Sequence, residues 1–177
     1  MEWLIITIIL LPIGAIFLLY TRRINPIKVG QAAPAFNLSD QYGKMRHLGE
    51  FQGLWLALYF YPKDDTPGCT EQACKFRDDL QKLTELGAKV IGISVDDARS
   101  HAKFAKKYNL QFPLLADNKA EIAKKYYSLI NFGIIKFAQR NTFLIDPKGK
   151  IAEIYLSVSA KHNSEKVIED LKRLQAM

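Results

Sequence analysis

The chain has 177 residues, with 25 Lys and Arg against 18 Asp and Glu, for a formal net charge of +7. The basic residues are dispersed and nowhere interleave with stacking aromatics, which argues against nucleic acid as a partner and fits a favourable lie against anionic lipid. Three scattered histidines (His47, His101 and His162), two cysteines without metal-ligand spacing and no glycine-rich phosphate loop leave no pattern for a bound metal or nucleotide.

The first feature along the chain is Trp3 to Tyr20, eighteen residues with only Thr7 polar. As a helix this run spans roughly 27 Å, enough for a thin hydrocarbon core. Trp3 and Tyr20 stand at its ends as interfacial aromatics, and Pro12 and Gly14 are tolerated in membrane helices. A cleaved signal wants positive charge before the apolar run, whereas here Met1-Glu2 precede it and Thr21-Arg22-Arg23 follow. The expected organisation is therefore a transmembrane anchor over 1–21, a juxtamembrane linker over 22–30 and one domain over 31–177. Arg22, Arg23 and Lys28 lie on the C-terminal flank, which places the N-terminus outside and the domain in the cytoplasm, where thiols are kept reduced.

Ala35 to Leu48 reads as a short hairpin around Asp40-Gln-Tyr-Gly43. Leu54 to Tyr61 is an apolar, aromatic-rich run of buried-strand type, ended by Pro62. Then comes Pro62-Lys-Asp-Asp-Thr-Pro-Gly-Cys69, which opens a helix. Thr66 is a fair N-cap, Pro67 suits the first helical position, and Gly68 lets a reactant approach the backbone. Asp64 and Asp65 are adjacent and read as turn formers. Ala73, Phe76, Leu80 and Leu83 give one apolar helix face running toward Gly87, and Cys69 sits at its N-terminal end. The thiolate is the nucleophilic form of cysteine; a free thiol titrates near roughly 8.5, and a helix N-terminus favours its ionisation. Cys74 lies about 140° further around the helix, with Cα atoms roughly 8–9 Å apart. A disulfide wants about 4.4–6.8 Å, so the two can pair only if this turn unwinds.

Ala88 to Val95 is the next strand, Asp96 or Asp97 caps a helix reaching Tyr108, and His101 sits in its polar stretch as a solvated side chain. A short strand near Phe112–Leu115 and a helix from Asn118 to Tyr127 follow. Ser128 to Gln139 is an apolar segment without an evident element. Arg140–Asp146 and Lys150–Val158 form a hairpin around Asp-Pro-Lys-Gly, and Ser164 caps a last helix with Val167, Ile168, Leu171 and Leu174 facing inward. Alternating strands and helices define an α/β domain of thioredoxin-like fold, with a central mixed sheet flanked by helices.

Pro62-x-x-x-Thr66-x-x-Cys69 resembles the active-site signature of peroxiredoxins. The longer run Tyr59 to Asp78, with Phe112–Asp117 and Arg140–Asp146, is similar to the bacterioferritin-comigratory-protein or Q-type branch, and the likeness extends from about Val29 to the C-terminus. The resemblance implies a thiol peroxidase acting on hydrogen peroxide and organic hydroperoxides as a monomer, without metal or organic cofactor. Cys69 would become a sulfenic acid, Cys74 would condense with it to a disulfide, and thioredoxin would restore the pair. The helpers it implies are Thr66, whose hydroxyl bonds thiolate or peroxide, and Arg140, which holds the thiolate and steadies the leaving oxygen. Pro62 shields the pocket, and Gly68 and Gln72 lie on the substrate side, Gln72 also orienting the arginine. Arg77 is either a helix-face ion-pair partner or a second active-site charge. A dithiol–disulfide oxidoreductase or a redox sensor on the same fold is the alternative, although the former prefers Cys-x-x-Cys and this chain has four intervening residues. Two departures from the family outline are the anchor and the unusually apolar 128–139 segment, read as a collar beside the peroxide pocket. The sharper reading is that Leu129, Phe132, Ile134, Ile135 and Phe137 touch the membrane and admit lipid hydroperoxides.

Overall fold

The computed structural model describes residues 27–133 and 135–176. The expected anchor over 1–21 and most of the linker fall outside the described residues; among those described, no helix is long and apolar enough to cross a membrane.

A small hairpin, β1 (Asn37–Ser39) and β2 (Met45–His47), leads through a 3-10 turn at Leu48–Phe51 into β3 (Trp55–Phe60). Then follow α1 (Pro67–Asp78), α2 (Leu80–Glu85), β4 (Ala88–Ser94), α3 (Ala98–Tyr108), β5 (Leu114–Ala116) and the short α4 (Glu121–Lys125). A two-stranded ribbon of β6 (Leu129–Phe132) and β7 (Ile135–Ala138) precedes β8 (Thr142–Ile145), β9 (Ile151–Tyr155) and α5 (Asn163–Gln175). The main sheet has the order β5-β4-β3-β8-β9, with β3, β4 and β5 parallel and β8 antiparallel to both its neighbours. It is the mixed sheet of a thioredoxin-like fold.

The alternation of β3 divides the core. Ala57, Tyr59 and Tyr61 face α1, α2, α3 and α5 through Cys69, Phe76, Leu83, Phe104, Val167 and Leu171. Leu56, Leu58 and Phe60 face Phe36, Phe51, Ile122 and Tyr126 on the other side. Both layers exclude water, so the sheet is buried on both faces and its strands read as continuous apolar runs.

Three expectations need correction. The helix expected to run on toward Gly87 breaks at Asp79 into α1 and α2, because that buried carboxylate is drawn to the Ser164 hydroxyl at 2.8 Å and to Lys82 at 2.8 Å. Ser164 is spent on that bond and does not cap α5, which starts at Asn163 with His162 at the cap position. The helix expected over 118–127 shrinks to α4, bounded by left-handed Ala120 and Tyr127; the Asp117 carboxylate accepts from the Glu121 and Ala123 amides and fixes its start.

Gly92 in β4 makes room for the Tyr59 ring. A Cβ there would stand 2.8 Å from the Tyr59 ring and hydroxyl and 2.8 Å from Leu114 Cδ2. Tyr59 itself is stacked on Phe76 with ring centroids 4.8 Å apart, so it has nowhere to move. Gly92→Ala should therefore cost about 1–3 kcal/mol through overpacking, read as a melting temperature lowered by several degrees; an unchanged melt would show that the ring can give way.

Candidate active site

Cys69 and Arg140 meet because of strand polarity. β3 ends at Phe60 and feeds the loop into α1, while β8 runs antiparallel to β3 and begins at the same end of the sheet. The Phe60 amide donates to the Asn141 carbonyl at 2.8 Å, which fixes Arg140 beside the first turn of α1. Residues 71 apart in sequence are thereby brought into contact.

Cys69 is buried, 1% exposed, and is a free thiol. Arg140 Nη2 donates to its sulfur at 3.4 Å. Nη1 of the same guanidinium donates to Gln72 Oε1 at 2.6 Å and to the Gly68 carbonyl at 3.2 Å. Gln72 Nε2 then donates to Asn163 Oδ1 at 2.8 Å, which also accepts from Thr142 Oγ1 at 2.8 Å. A planar cation is thus held in a fork by fully buried amides and turned onto one sulfur. The helical ladder of α1 starts with Thr70 donating to the Thr66 carbonyl at 2.8 Å, so the amides of Gly68 and Cys69 precede it, outside the ladder.

The other expected residues fall out as follows. Gln72 is fully buried, with its amide oxygen taken by Arg140 and its amide nitrogen by Asn163, which is the arginine-orienting arrangement. The bare face of Gly68 is occupied by the arginine, since a Cβ would come within 3.2 Å of Arg140 Nη2; it is the guanidinium that needs the glycine. Thr66 is at the N-cap position, but its hydroxyl donates to the Lys63 carbonyl at 3.1 Å and does not cap the helix. That hydroxyl keeps its lone pairs free to accept. Pro62 is half-buried where the loop leaves β3. Cys74 is half-buried and free, five residues along the same unbroken helix. Arg77 is an ion-pair partner, with Nη2 2.7 Å from Asp78 Oδ1, and Nη1 donates to the Tyr108 carbonyl at 2.7 Å.

Two parts of the site escaped the sequence. Asn163 steadies Gln72 from the start of α5, 91 residues away, and nothing local marks it. His101 is not solvated: it is wholly buried, its Nδ1 2.8 Å from Asp64 Oδ2. Tyr61 donates to the other Asp64 oxygen at 2.7 Å, and burial keeps that phenol well above its ordinary titration range, hence neutral and able to donate.

Comparison with known proteins supplies the chemical setting. The profile of the AhpC/TSA family matches residues 29–154. The chain is 44% identical over 153 residues to the chloroplastic peroxiredoxin Q of Populus jackii, covering 85% of this chain and 70% of that one. It is 42% identical over 146 residues to a putative peroxiredoxin bcp of Coxiella burnetii, covering 80% of this chain and 97% of that one. Among solved structures, peroxidoxin BcpB from Mycobacterium tuberculosis superposes with a TM-score of 0.80 at 32% identity, covering 84% of this chain and 98% of that one.

The fork at Arg140 makes a prediction of its own. Arg140→Lys keeps the positive charge but cannot serve Gln72, Gly68 and the sulfur together, so the rate at which the protein consumes hydrogen peroxide should fall by about 10-fold or more. Stopped-flow measurement checks this, and an unchanged rate would mean that charge alone suffices.

Proposed function

The chain belongs to the AhpC/TSA family, as a peroxidase of the peroxiredoxin Q/Bcp branch, and we propose that Cys69 reduces hydrogen peroxide and organic hydroperoxides, with Cys74 resolving and thioredoxin recycling. The observation that carries the assignment is the Arg140 guanidinium, held by Gln72 and turned onto a buried, free sulfur at a helix N-terminus. No other thiol among the described residues has such a partner.

The chemistry follows from the groups present. The Cys69 thiolate attacks one peroxide oxygen, an S–O bond forms and the O–O bond breaks, and the leaving oxygen is protonated to water or alcohol. Negative charge passes from sulfur to the departing oxygen, and the guanidinium and the Gly68 and Cys69 amides line that path. The Thr66 hydroxyl, donating to Lys63, accepts from the peroxide O–H and so orients it. Pro62 narrows the mouth against water. Cys74 sulfur then displaces the sulfenic oxygen as water, giving the disulfide, and a dithiol reductant returns both thiols. Since α1 runs unbroken through both cysteines, this second step requires its first turns to unwind. An unwound segment also exposes the disulfide to a protein reductant such as thioredoxin.

The reading extends to the membrane. Residues 3–20 act as a retained anchor with the domain on the cytoplasmic side. The β6–β7 ribbon supports contact with lipid: it leads directly into Arg140, and Phe132 and Ile135 near its turn are 60% and 63% exposed. An apolar ribbon beside the catalytic arginine suits a hydroperoxide delivered from acyl chains.

Two experiments test these readings. One equivalent of hydrogen peroxide added to the reduced protein should remove two hydrogens within seconds, mapped by peptide mass to a Cys69–Cys74 bridge. Both thiols free with peroxide persisting would end the peroxidase mechanism, and Cys69 oxygenated without a bridge would remove Cys74 from it. For the anchor, the full chain should resist alkaline carbonate extraction from membranes and turn over phospholipid hydroperoxide in vesicles faster than a chain lacking the first 26 residues. Release into the supernatant, with equal turnover by both chains, removes the membrane reading.

A further inference from the structure

Helix α3 grips the segment that must unwind from both of its ends. On the upstream side, Asp64 is fixed by His101 Nδ1 at 2.8 Å and by the Ser100 hydroxyl at 2.7 Å, while its own amide donates to Asp96 Oδ2 at 2.8 Å. The next residue, Asp65, is held separately by the last turn of α3. Lys107 Nζ reaches its two carboxylate oxygens at 2.8 and 2.7 Å, and the Tyr108 hydroxyl donates to Oδ1 at 2.6 Å. On the downstream side, the carbonyl of the same Tyr108 accepts from Arg77 Nη1 at 2.7 Å. Between Asp65 and Arg77 lie Thr66, Cys69 and Cys74.

The buried and the exposed grips differ in kind. Asp64, with His101 and Tyr61, is sealed in the core and stays put whatever α1 does. Asp65, Lys107 and Tyr108 lie at the surface, where such contacts can open and reform. Asp65 has φ of +58°, a left-handed backbone that few residues with a Cβ adopt, although Asp tolerates it better than most. The hydrogen bonds from Lys107, then Tyr108, hold its carboxyl below the usual carboxylate range, so it remains an ionised acceptor at neutral pH. A turn held at the surface by Lys107 and Tyr108 together is loosened when either contact is lost.

We propose that Tyr108 is a latch on the Cys69–Cys74 segment, a positioning residue that sets how fast the sulfenic acid is resolved. This rests on the peroxidase reading above. Its chemical consequence lies in a branch point. Cys69-SOH either loses water to Cys74-SH and becomes the disulfide, or meets a second hydrogen peroxide and becomes the sulfinic acid with release of one water. The first route needs α1 unwound and the second needs it folded around the reactive sulfur. A closed latch holds the helix, slows the disulfide and leaves the sulfenic acid exposed to further peroxide for longer. The first oxidation needs only the folded site, so the latch leaves it untouched.

Tyr108→Phe removes the hydroxyl and keeps the ring against Phe104 and the core. Arg77→Gln loosens the downstream end and serves as an independent variant. In the full chain, quenched-flow mass spectrometry follows the first oxidation, disulfide formation and the sulfinic fraction against hydrogen peroxide concentration. The expected result for both variants is disulfide formation faster by about 5–10-fold, as for loss of a charge-assisted hydrogen bond. Correspondingly more peroxide should be needed for half overoxidation, with the first oxidation within twofold and faster amide exchange over Thr70–Phe76. Unchanged or slower disulfide formation after a normal first oxidation overturns the latch and leaves the peroxidase standing. Failure of Cys69 to react with peroxide in the unaltered chain overturns both.

Discussion

Everything at this site hangs on how one guanidinium is held. Arg140 carries a charge that must face a buried sulfur, and a side chain with that many torsions would not stay there unaided. Its Nη1 is fixed by Gln72 and the Gly68 carbonyl, Gln72 is fixed by Asn163, and Asn163 is fixed by Thr142 at the start of β8. The chain of bonds thus returns to the strand that Arg140 precedes. The arginine is tied to α1, to the start of α5 and to the sheet, and the sulfur is located by the same three elements. A half-satisfied buried network would be worse than an apolar one, so these residues stand together.

A second polar network, on the other side of the loop, does a different job. Tyr61, Asp64, Ser100 and His101 join the end of β3 to the first turns of α3 without touching the sulfur. It sets where the loop leaves the sheet, while the Arg140 network sets where the helix begins. Between these two fixed points the segment 65–68 has little freedom, and Cys69 reaches its position with few alternatives to sample. Preorganisation of this kind lowers the barrier because little reordering is left for the moment of reaction.

What could be read from the sequence was what is local or periodic. The strand before Pro62, the helix start at Pro67 and the apolar stripe through Ala73 and Phe76 follow from patterns spanning a few residues, while the mixed sheet belongs to the fold that the family resemblance implies. Arg140 came from a motif match, since no spacing links residues 71 apart. The misses share one cause. His101, Ser164 and Asn163 are small or polar residues on surface-like helix stretches, and each is drawn inward by a partner from a distant element: Asp64, Asp79 and Gln72. Polarity reads as exposure at His101 and as a cap at Ser164, and tertiary hydrogen bonds reverse both. The 128–139 segment shows no evident element in sequence, and where a collar or a membrane contact is expected it forms a two-stranded ribbon with Phe132 and Ile135 in the open.

The proposed thiol cycle places conflicting demands on α1. Holding Cys69 against Arg140 requires an ordered first turn, while bringing Cys74 to Cys69 requires that same turn to come apart. A uniformly stable helix would serve only the first step, and a frayed one only the second. Here the downstream part is packed, with Ala73 and Phe76 wholly within the core beside Tyr59. The upstream part is held by polar contacts of two kinds, exposed ones from Lys107 and Tyr108 to Asp65 and buried ones at Asp64 and along Arg140, Gln72 and Asn163. Hydrogen bonds to exposed groups exchange with water at little net cost, whereas pulling Phe76 from its stack would expose a whole aromatic ring. Releasing the grip on Asp65 is therefore cheap, whereas freeing Cys69 also costs the buried bonds among Arg140, Gln72 and Asn163. In the proposed two-step thiol reaction, α1 is thus fixed by Phe76 on its apolar side and by Gln72 and Arg140 beside the sulfur, and the contacts free to release are those of Asp65 at the surface.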